Sequence, residues 1–114
     1  PILNGVCLPS VEIITSESFY NYDAKYLRDD TQLIRTSLSA EEHEKLDALC
    51  IKTFNALGCK GWARIDLLQD LDGTFYILEV NTVPGMTSHS LFPSSAKIAG
   101  LDYKSLVREI IESV

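Results

Sequence analysis

Residues 62–80 read WARIDLLQDLDGTFYILEV, two apolar, β-rich runs on either side of an Asp-Gly turn signal. That is the pattern of an antiparallel hairpin, with strands over 62–68 and 74–80. Successive side chains of a strand point to opposite faces. A four-residue turn from Asp70 to Gly73 pairs Gln69 with Thr74, so even-numbered residues of the first strand oppose odd-numbered residues of the second. Arg64 and Asp66 then share a face with Glu79 and Asn81. A β-bulge in either strand would break this register. Beyond Asn81 the chain runs Thr82-Val83-Pro84-Gly85-Met86-Thr87-Ser88-His89-Ser90, a loop of hydroxyl residues around one glycine.

Two carboxylates and an amide oxygen on one sheet face are hard ligands, suited to Mg²⁺ or Mn²⁺ rather than zinc. Mg²⁺ takes few protein ligands and completes its shell with water and substrate phosphates, which makes a nucleotide site the sharper expectation. Exposed N–H and O–H groups of the loop can receive an oxyanion or a carboxylate, with Arg64 near developing negative charge. The plain alternative is an Arg64 salt bridge to Asp66 or Glu79 on an exposed sheet face. His89 reads as a residue that holds Ser88 or Ser90 in place rather than as a proton carrier.

Upstream, Pro1-Ile2-Leu3 and Val6-Cys7-Leu8 flank Asn4-Gly5, a hairpin signal because a type I′ turn needs positive φ at both central residues. Pro9 should interrupt that pairing, and Val11, Ile13 and Ile14 predict a strand that resumes beyond it. Residues 16–35 are polar and tyrosine-rich and show neither the helical nor the strand period. They read as a surface loop or as a lid over a site, from which Lys25 can reach a phosphate. Ser39 with Glu42 is a capping box, and Leu46, Leu49, Cys50, Thr53, Phe54 and Leu57 recur at helical spacing up to Gly58. His43, among acids near the start of this helix, reads as solvated. Downstream, residues 94–99 predict a short helix after Pro93. Asp102 can cap a last helix whose Tyr103, Leu106, Val107, Ile110, Ile111 and Val114 form one stripe. Hairpins alternating with helices predict an α+β fold, an antiparallel sheet of hairpins with helices packed on one side.

The 114 residues are enough for one core, and a chain of this size buries roughly two-thirds of its unfolded surface. The formal charge is −6 and the ten Lys and Arg residues are scattered, so no basic stripe invites nucleic acid. No apolar run approaches the roughly 20 residues of a membrane span, and no signal segment opens the chain, which makes a soluble cytoplasmic protein the expectation. Three cysteines, Cys7, Cys50 and Cys59, lack CxxC spacing and read as buried thiols. The chain opens on Pro1 inside a strand-like run, as part of a longer polypeptide would.

Residues 19–32 (FYNYDAKYLRDDTQ), 58–68 (GCKGWARIDLL) and 75–93 (FYILEVNTVPGMTSHSLFP), followed by an Ala-Gly helix end and an amphipathic closing helix, resemble the C-terminal third of bacterial D-alanine:D-alanine ligases, which are ATP-grasp enzymes. The similarity runs in order through essentially the whole chain, and the ExNTxPGMTxxS element is specific. The resemblance implies that residues 1–114 are the C-terminal subdomain of such a ligase. It implies that Asp66, Glu79 and Asn81 hold two Mg²⁺ (or Mn²⁺) ions on ATP phosphates, and that Arg64 and the Gly85 backbone stabilise the tetrahedral intermediate. Ser90 and Leu91 match positions that receive the carboxylate of the second D-alanine. Lys25 and Tyr26 match a loop that closes over the site, with Lys25 towards the γ-phosphate, and Phe19 matches a position beside adenine. Relatives that make a D-lactate ester look different on this loop and carry a His in their pattern, so by the resemblance Tyr26 favours the dipeptide product.

The implied reaction passes the γ-phosphate to one D-alanine carboxylate, and the amine of a second D-alanine attacks the resulting acyl phosphate to give a peptidoglycan precursor. The partners implied are ATP, D-alanine and the rest of the same polypeptide, with a homodimer as one assembly state. The family's N-terminal and central domains have no counterpart in these residues, so the chain alone is expected to be inactive. Two other readings stand beside this one: a different ATP-grasp carboxylate-amine ligase, and a non-catalytic domain that binds a divalent metal.

Overall fold

The computed structural model describes residues 1–14 and 32–114. Strands β1 (Ile2–Leu3) and β2 (Val6–Cys7) form the opening hairpin, Ile2 opposite Cys7 and Leu3 opposite Val6. Asn4 at φ 53° and Gly5 at φ 76° supply the two left-handed residues that its turn requires. Beyond Pro9, β3 (Val11–Ile14) pairs antiparallel with β4 (Gln32–Arg35) in a separate two-stranded sheet. β4 belongs to the stretch in which no period was legible: four residues are too few to display alternation.

Helix α1 (Ala40–Ala56) opens on the expected capping box, in which Ser39 Oγ accepts from the Glu42 N–H at 3.2 Å and Glu42 Oε1 accepts from the Ser39 N–H at 3.3 Å. Strands β5 (Trp62–Gln69) and β6 (Phe75–Asn81) make the second hairpin, followed by α2 (Leu91–Ile98) and α3 (Tyr103–Ser113). Helix α2 begins three residues before its predicted start, with Pro93 in its first turn. The missing N–H of a proline there would have had no intrahelical partner in any case. Asp102 caps α3, its Oδ1 accepting from the Ser105 N–H at 2.7 Å, and this bond holds the carboxyl below the usual carboxylate range.

The main sheet has the order β2-β1-β5-β6, antiparallel throughout. The α+β class and the antiparallel sheet of hairpins are as the sequence predicts, but the helices cover both faces rather than one. Ile2, Ala63 and Ile65 meet Leu46, Cys50 and Phe54 of α1 on the first face, with Leu67, Phe75, Ile77 and Val80 packed against them. On the second face Leu3 meets Phe92 and Ala96 of α2 and Leu106 of α3, flanked by Trp62, Met86 and Ile110. Ile2 and Leu3 are adjacent, so strand alternation sends them into different cores. Burying each large side chain contributes about 1.5–3 kcal/mol. Of the stripe predicted on the last helix, Leu106 is buried, whereas Tyr103, Ile111 and Val114 are exposed.

The hairpin register differs from the predicted one at two points. The strands pair Gln69 with Phe75, which makes the turn five residues long, and Leu78 is an extra, unpaired residue between the Leu67–Ile77 and Asp66–Glu79 pairs. Each change shifts the pairing by one. Together they preserve parity, and Arg64 lies opposite Asn81 rather than opposite Glu79. The face of the sheet opposite α1 therefore carries Arg64, Asp66, Glu79 and Asn81 together, as parity predicted, by a different route.

Candidate active site

Residues 64 and 66 are two apart on β5, so both side chains leave the same face of the sheet, and β6 brings Asn81 and Glu79 directly opposite them. Arg64 Nε donates to Asp66 Oδ1 at 2.8 Å and Nη2 to Oδ2 at 3.1 Å, a two-pronged ion pair. The same Nη2 lies 3.6 Å from Glu79 Oε1. The side chains of Arg64, Asp66 and Glu79 are 8%, 16% and 50% exposed, so the site grades from a buried cation to a carboxylate that reaches solvent. The salt bridge allowed as the plain alternative is thus present, with its cation buried rather than on an exposed face.

The donor set fits a hard divalent cation. Among the described residues no three His, Cys, Asp or Glu side chains gather as a metal cluster. The polar face instead offers two carboxylates and one amide oxygen, a set composed of oxygen alone, as Mg²⁺ prefers. An ionised carboxylate has about four lone-pair positions, of which the Arg64 fork engages two on Asp66. Asn81 Oδ1 accepts from the Val83 N–H at 2.9 Å, which orients the amide and leaves its second lone pair.

Past Asn81 the chain enters the loop, with Pro84 buried. Thr87 and Ser90 close it on themselves: the Ser90 hydroxyl accepts from the Thr87 N–H at 3.0 Å and lies 2.8 Å from Thr87 Oγ1, while the Ser90 N–H donates to the Thr87 carbonyl at 3.0 Å. Gly85 comes so close that a Cβ on it would lie 3.0 Å from Ser90 Oγ. A side chain at this position would require Ser90 Oγ to give by a few tenths of an ångström, so glycine eases the close approach of the backbone. Ser90 is the N-cap of α2, its carbonyl accepting from the Ser94 N–H and hydroxyl at 3.2 and 2.9 Å, and Leu91 is the first helical residue. Met86 and Phe92 pin the two sides of the loop into the second core.

The structure thus brings Arg64, Asp66, Glu79 and Asn81 together, and the chain carries directly from them to Gly85, Ser90 and Leu91. Phe19, Lys25 and Tyr26 lie outside the described residues. His89 is exposed, and the bonds on Ser90 come from Thr87 rather than from His89. Thr87 and Ser94 escaped notice in the sequence; the signal that reveals them is hydroxyl residues three and four positions from Ser90. The cysteines are free thiols, and burial, aided by Asp47, pushes Cys7 up to about 12, so it is no nucleophile at neutral pH. A shallow groove lined by Gly5, Cys7, Asp47 and Lys52 lies beside α1 and contains none of the predicted site residues. Among the described residues no helix is long and apolar enough to cross a membrane.

The family model described as D-ala D-ala ligase C-terminus matches residues 2–112. A D-alanine–D-alanine ligase from Ectopseudomonas mendocina is 52% identical over 111 residues, covering 96% of this chain and 36% of that protein. The solved D-alanine–D-alanine ligase from Bacillus anthracis, complexed with ATP, is similar with a TM-score of 0.82 and 36% identity, over 98% of this chain and 35% of its own. The VanG D-Ala:D-Ser ligase from Enterococcus faecalis is similar with a TM-score of 0.73 and 30% identity, over 92% of this chain and 31% of its own. This chain therefore spans about a third of the length of the relatives it matches. Because the family model covers all but its outermost residues, the chain belongs to the D-Ala–D-Ala ligase C-terminus family.

Proposed function

We propose that this chain is the C-terminal subdomain of an ATP-dependent D-alanine:D-alanine ligase. A longer polypeptide supplies the domains that grip ATP and the first D-alanine, and the whole enzyme works in the cytoplasm to make a peptidoglycan precursor. The observation that carries this reading is the convergence of Arg64, Asp66, Glu79 and Asn81 on one sheet face that leads straight into the Gly85–Ser90 loop, in a chain of this family.

Each group has a task that its chemistry suits. Asp66, Glu79 and Asn81 hold Mg²⁺ or Mn²⁺, which neutralises phosphate charge during transfer to the first D-alanine carboxylate. Arg64, fixed by its fork to Asp66, keeps a cation at the edge of the reacting centre without further reorganisation. The Gly85 N–H stabilises the oxyanion that forms when the second amine attacks the acyl phosphate. The Ser90 hydroxyl and the Leu91 N–H receive the second substrate's carboxylate at the start of α2, where N–H groups are free of intrahelical partners. Lys25 and Tyr26 close over the site, Lys25 towards the γ-phosphate, and Phe19 lies beside adenine.

Phosphate release by the full-length protein, dependent on both ATP and D-alanine, tests the reading directly. Glu79→Gln should lower turnover by about two orders of magnitude and raise the Mg²⁺ needed for half-activation, with the fold intact. Wild-type rates in that variant would remove Glu79 from the metal site. The likeness to a D-Ala:D-Ser ligase makes D-serine the second substrate to compare. D-Lactate belongs in the same assay, because Tyr26 favours an amide product over an ester.

A further inference from the structure

The Ser90 hydroxyl has one proton to give and two lone pairs to fill. Thr87 faces it with two groups, its backbone N–H at 3.0 Å and its own hydroxyl at 2.8 Å. When both Thr87 protons point at Ser90 Oγ, both lone pairs are occupied, and all that Ser90 can still do is donate. When the shared proton instead lies on the Ser90 side, that hydroxyl has nothing left to give and only a lone pair to offer. The Thr87 hydroxyl therefore decides whether Ser90 presents a donor or an acceptor. A carboxylate accepts hydrogen bonds and cannot donate them, so it stabilises the first state.

We infer that Thr87 is a positioning residue for the second substrate, one that makes the Ser90 hydroxyl a dedicated donor to a carboxylate. The inference rests on the proposed role of Ser90 and adds a residue to it. Geometry supports it from two further sides. The Thr87 carbonyl accepts the Ser90 N–H at 3.0 Å, so the two residues are tied through backbone and side chain alike. A Cβ at residue 85 would lie 3.0 Å from the same hydroxyl, so glycine there leaves Ser90 Oγ its place beside Thr87. Thr87 itself is exposed, so exchanging its hydroxyl for a methyl leaves no buried polar group behind.

The test is steady-state kinetics of the full-length ligase carrying Thr87→Val, Thr87→Ser, Ser90→Ala, or Thr87→Val with Ser90→Ala, resolving the KM for the second D-alanine from the KM values for ATP and the first. Thr87→Val should raise the second-site KM about two- to fivefold, less than the loss of a whole hydrogen bond, because Ser90 keeps its proton but loses the partner that aims and polarises it, with the other two constants unchanged. Thr87→Ser should restore it. Adding Thr87→Val to Ser90→Ala should cause no further loss, because the only group that Thr87 orients is then gone. If Ser90→Ala raises the second-site KM while Thr87→Val behaves as wild type, or if the two losses multiply, the inference is overturned and the role of Ser90 stands. If Ser90→Ala leaves the second-site KM unchanged, the proposed role of Ser90 fails and this inference fails with it.

Discussion

Arg64 is the most deeply buried charged side chain among the described residues, and its environment explains why it tolerates burial. The fork to Asp66 and the approach of Glu79 give the guanidinium two anionic neighbours. Removing only the cation leaves both carboxylates in place with weaker compensation, a change that is costlier than removing a whole pair. Arg64→Met, which keeps most of the side-chain volume, should destabilise the fold by about 2–4 kcal/mol, read as a lower urea midpoint. Arg64→Lys should fall in between, since an ammonium keeps the charge but cannot bind both Asp66 oxygens side by side. Equal stability of Arg64→Met and wild type would mean that the ion pair has a role in binding alone. The residue types at this site were legible from spacing, because a period of two is all that placing Arg64 and Asp66 together requires. The closure of Thr87 on Ser90 was not, since it depends on loop torsions that no short-range pattern encodes.

At the scale of the element, the β5–β6 hairpin shows how a correct face assignment can arise from an incorrect register. The Asp-Gly signal marks a turn but leaves its length open. The length is set by Asp70, whose Oδ1 accepts from the N–H groups of Asp72 and Thr74 at 2.9 Å each, while Tyr76 Oη donates to Oδ2 at 3.2 Å. This side chain stands in for ladder bonds and widens the turn by one residue. The bulge at Leu78 then restores parity, and nothing in a run such as Tyr76-Ile77-Leu78-Glu79-Val80 announces which residue will be unpaired. Its trace in the structure is two consecutive outward side chains, Leu78 and Glu79, where a regular strand would alternate. Asp70→Ala removes all three acceptor contacts of the carboxylate and should cost about 1 kcal/mol in the urea midpoint. Because the turn and the bulge are separate features, the pairing of Asp66 with Glu79 should survive, seen as cross-strand nuclear Overhauser contacts that persist. Loss of those contacts would show that the turn dictates the register as far as the site.

At the scale of the molecule, the sheet separates two cores, and the site depends on them unequally. The first core, around Leu46 and Phe54, backs the hairpin from the face opposite Arg64 and Asp66. The second core holds Phe92, fully buried and edge-on to Trp62 at 5.4 Å between ring centres, and it begins two residues after Ser90. Phe92 therefore fixes the far end of the Gly85–Ser90 loop, as Asn81 fixes its near end on β6. The expectation of helices on one side only would have missed this division, because apolar stripes reveal that a helix packs but not against which face. Leu46→Ala and Phe92→Ala should each destabilise the fold by about 2–5 kcal/mol. They should differ locally. Under native conditions, hydrogen exchange at the Val83, Thr87 and Ser90 amides should accelerate in Phe92→Ala beyond what its lower global stability accounts for, because the loop has lost its anchor. In Leu46→Ala the same amides should follow global stability alone. Equal acceleration in both variants would mean that the two cores unfold as one unit and that the loop has no anchor of its own.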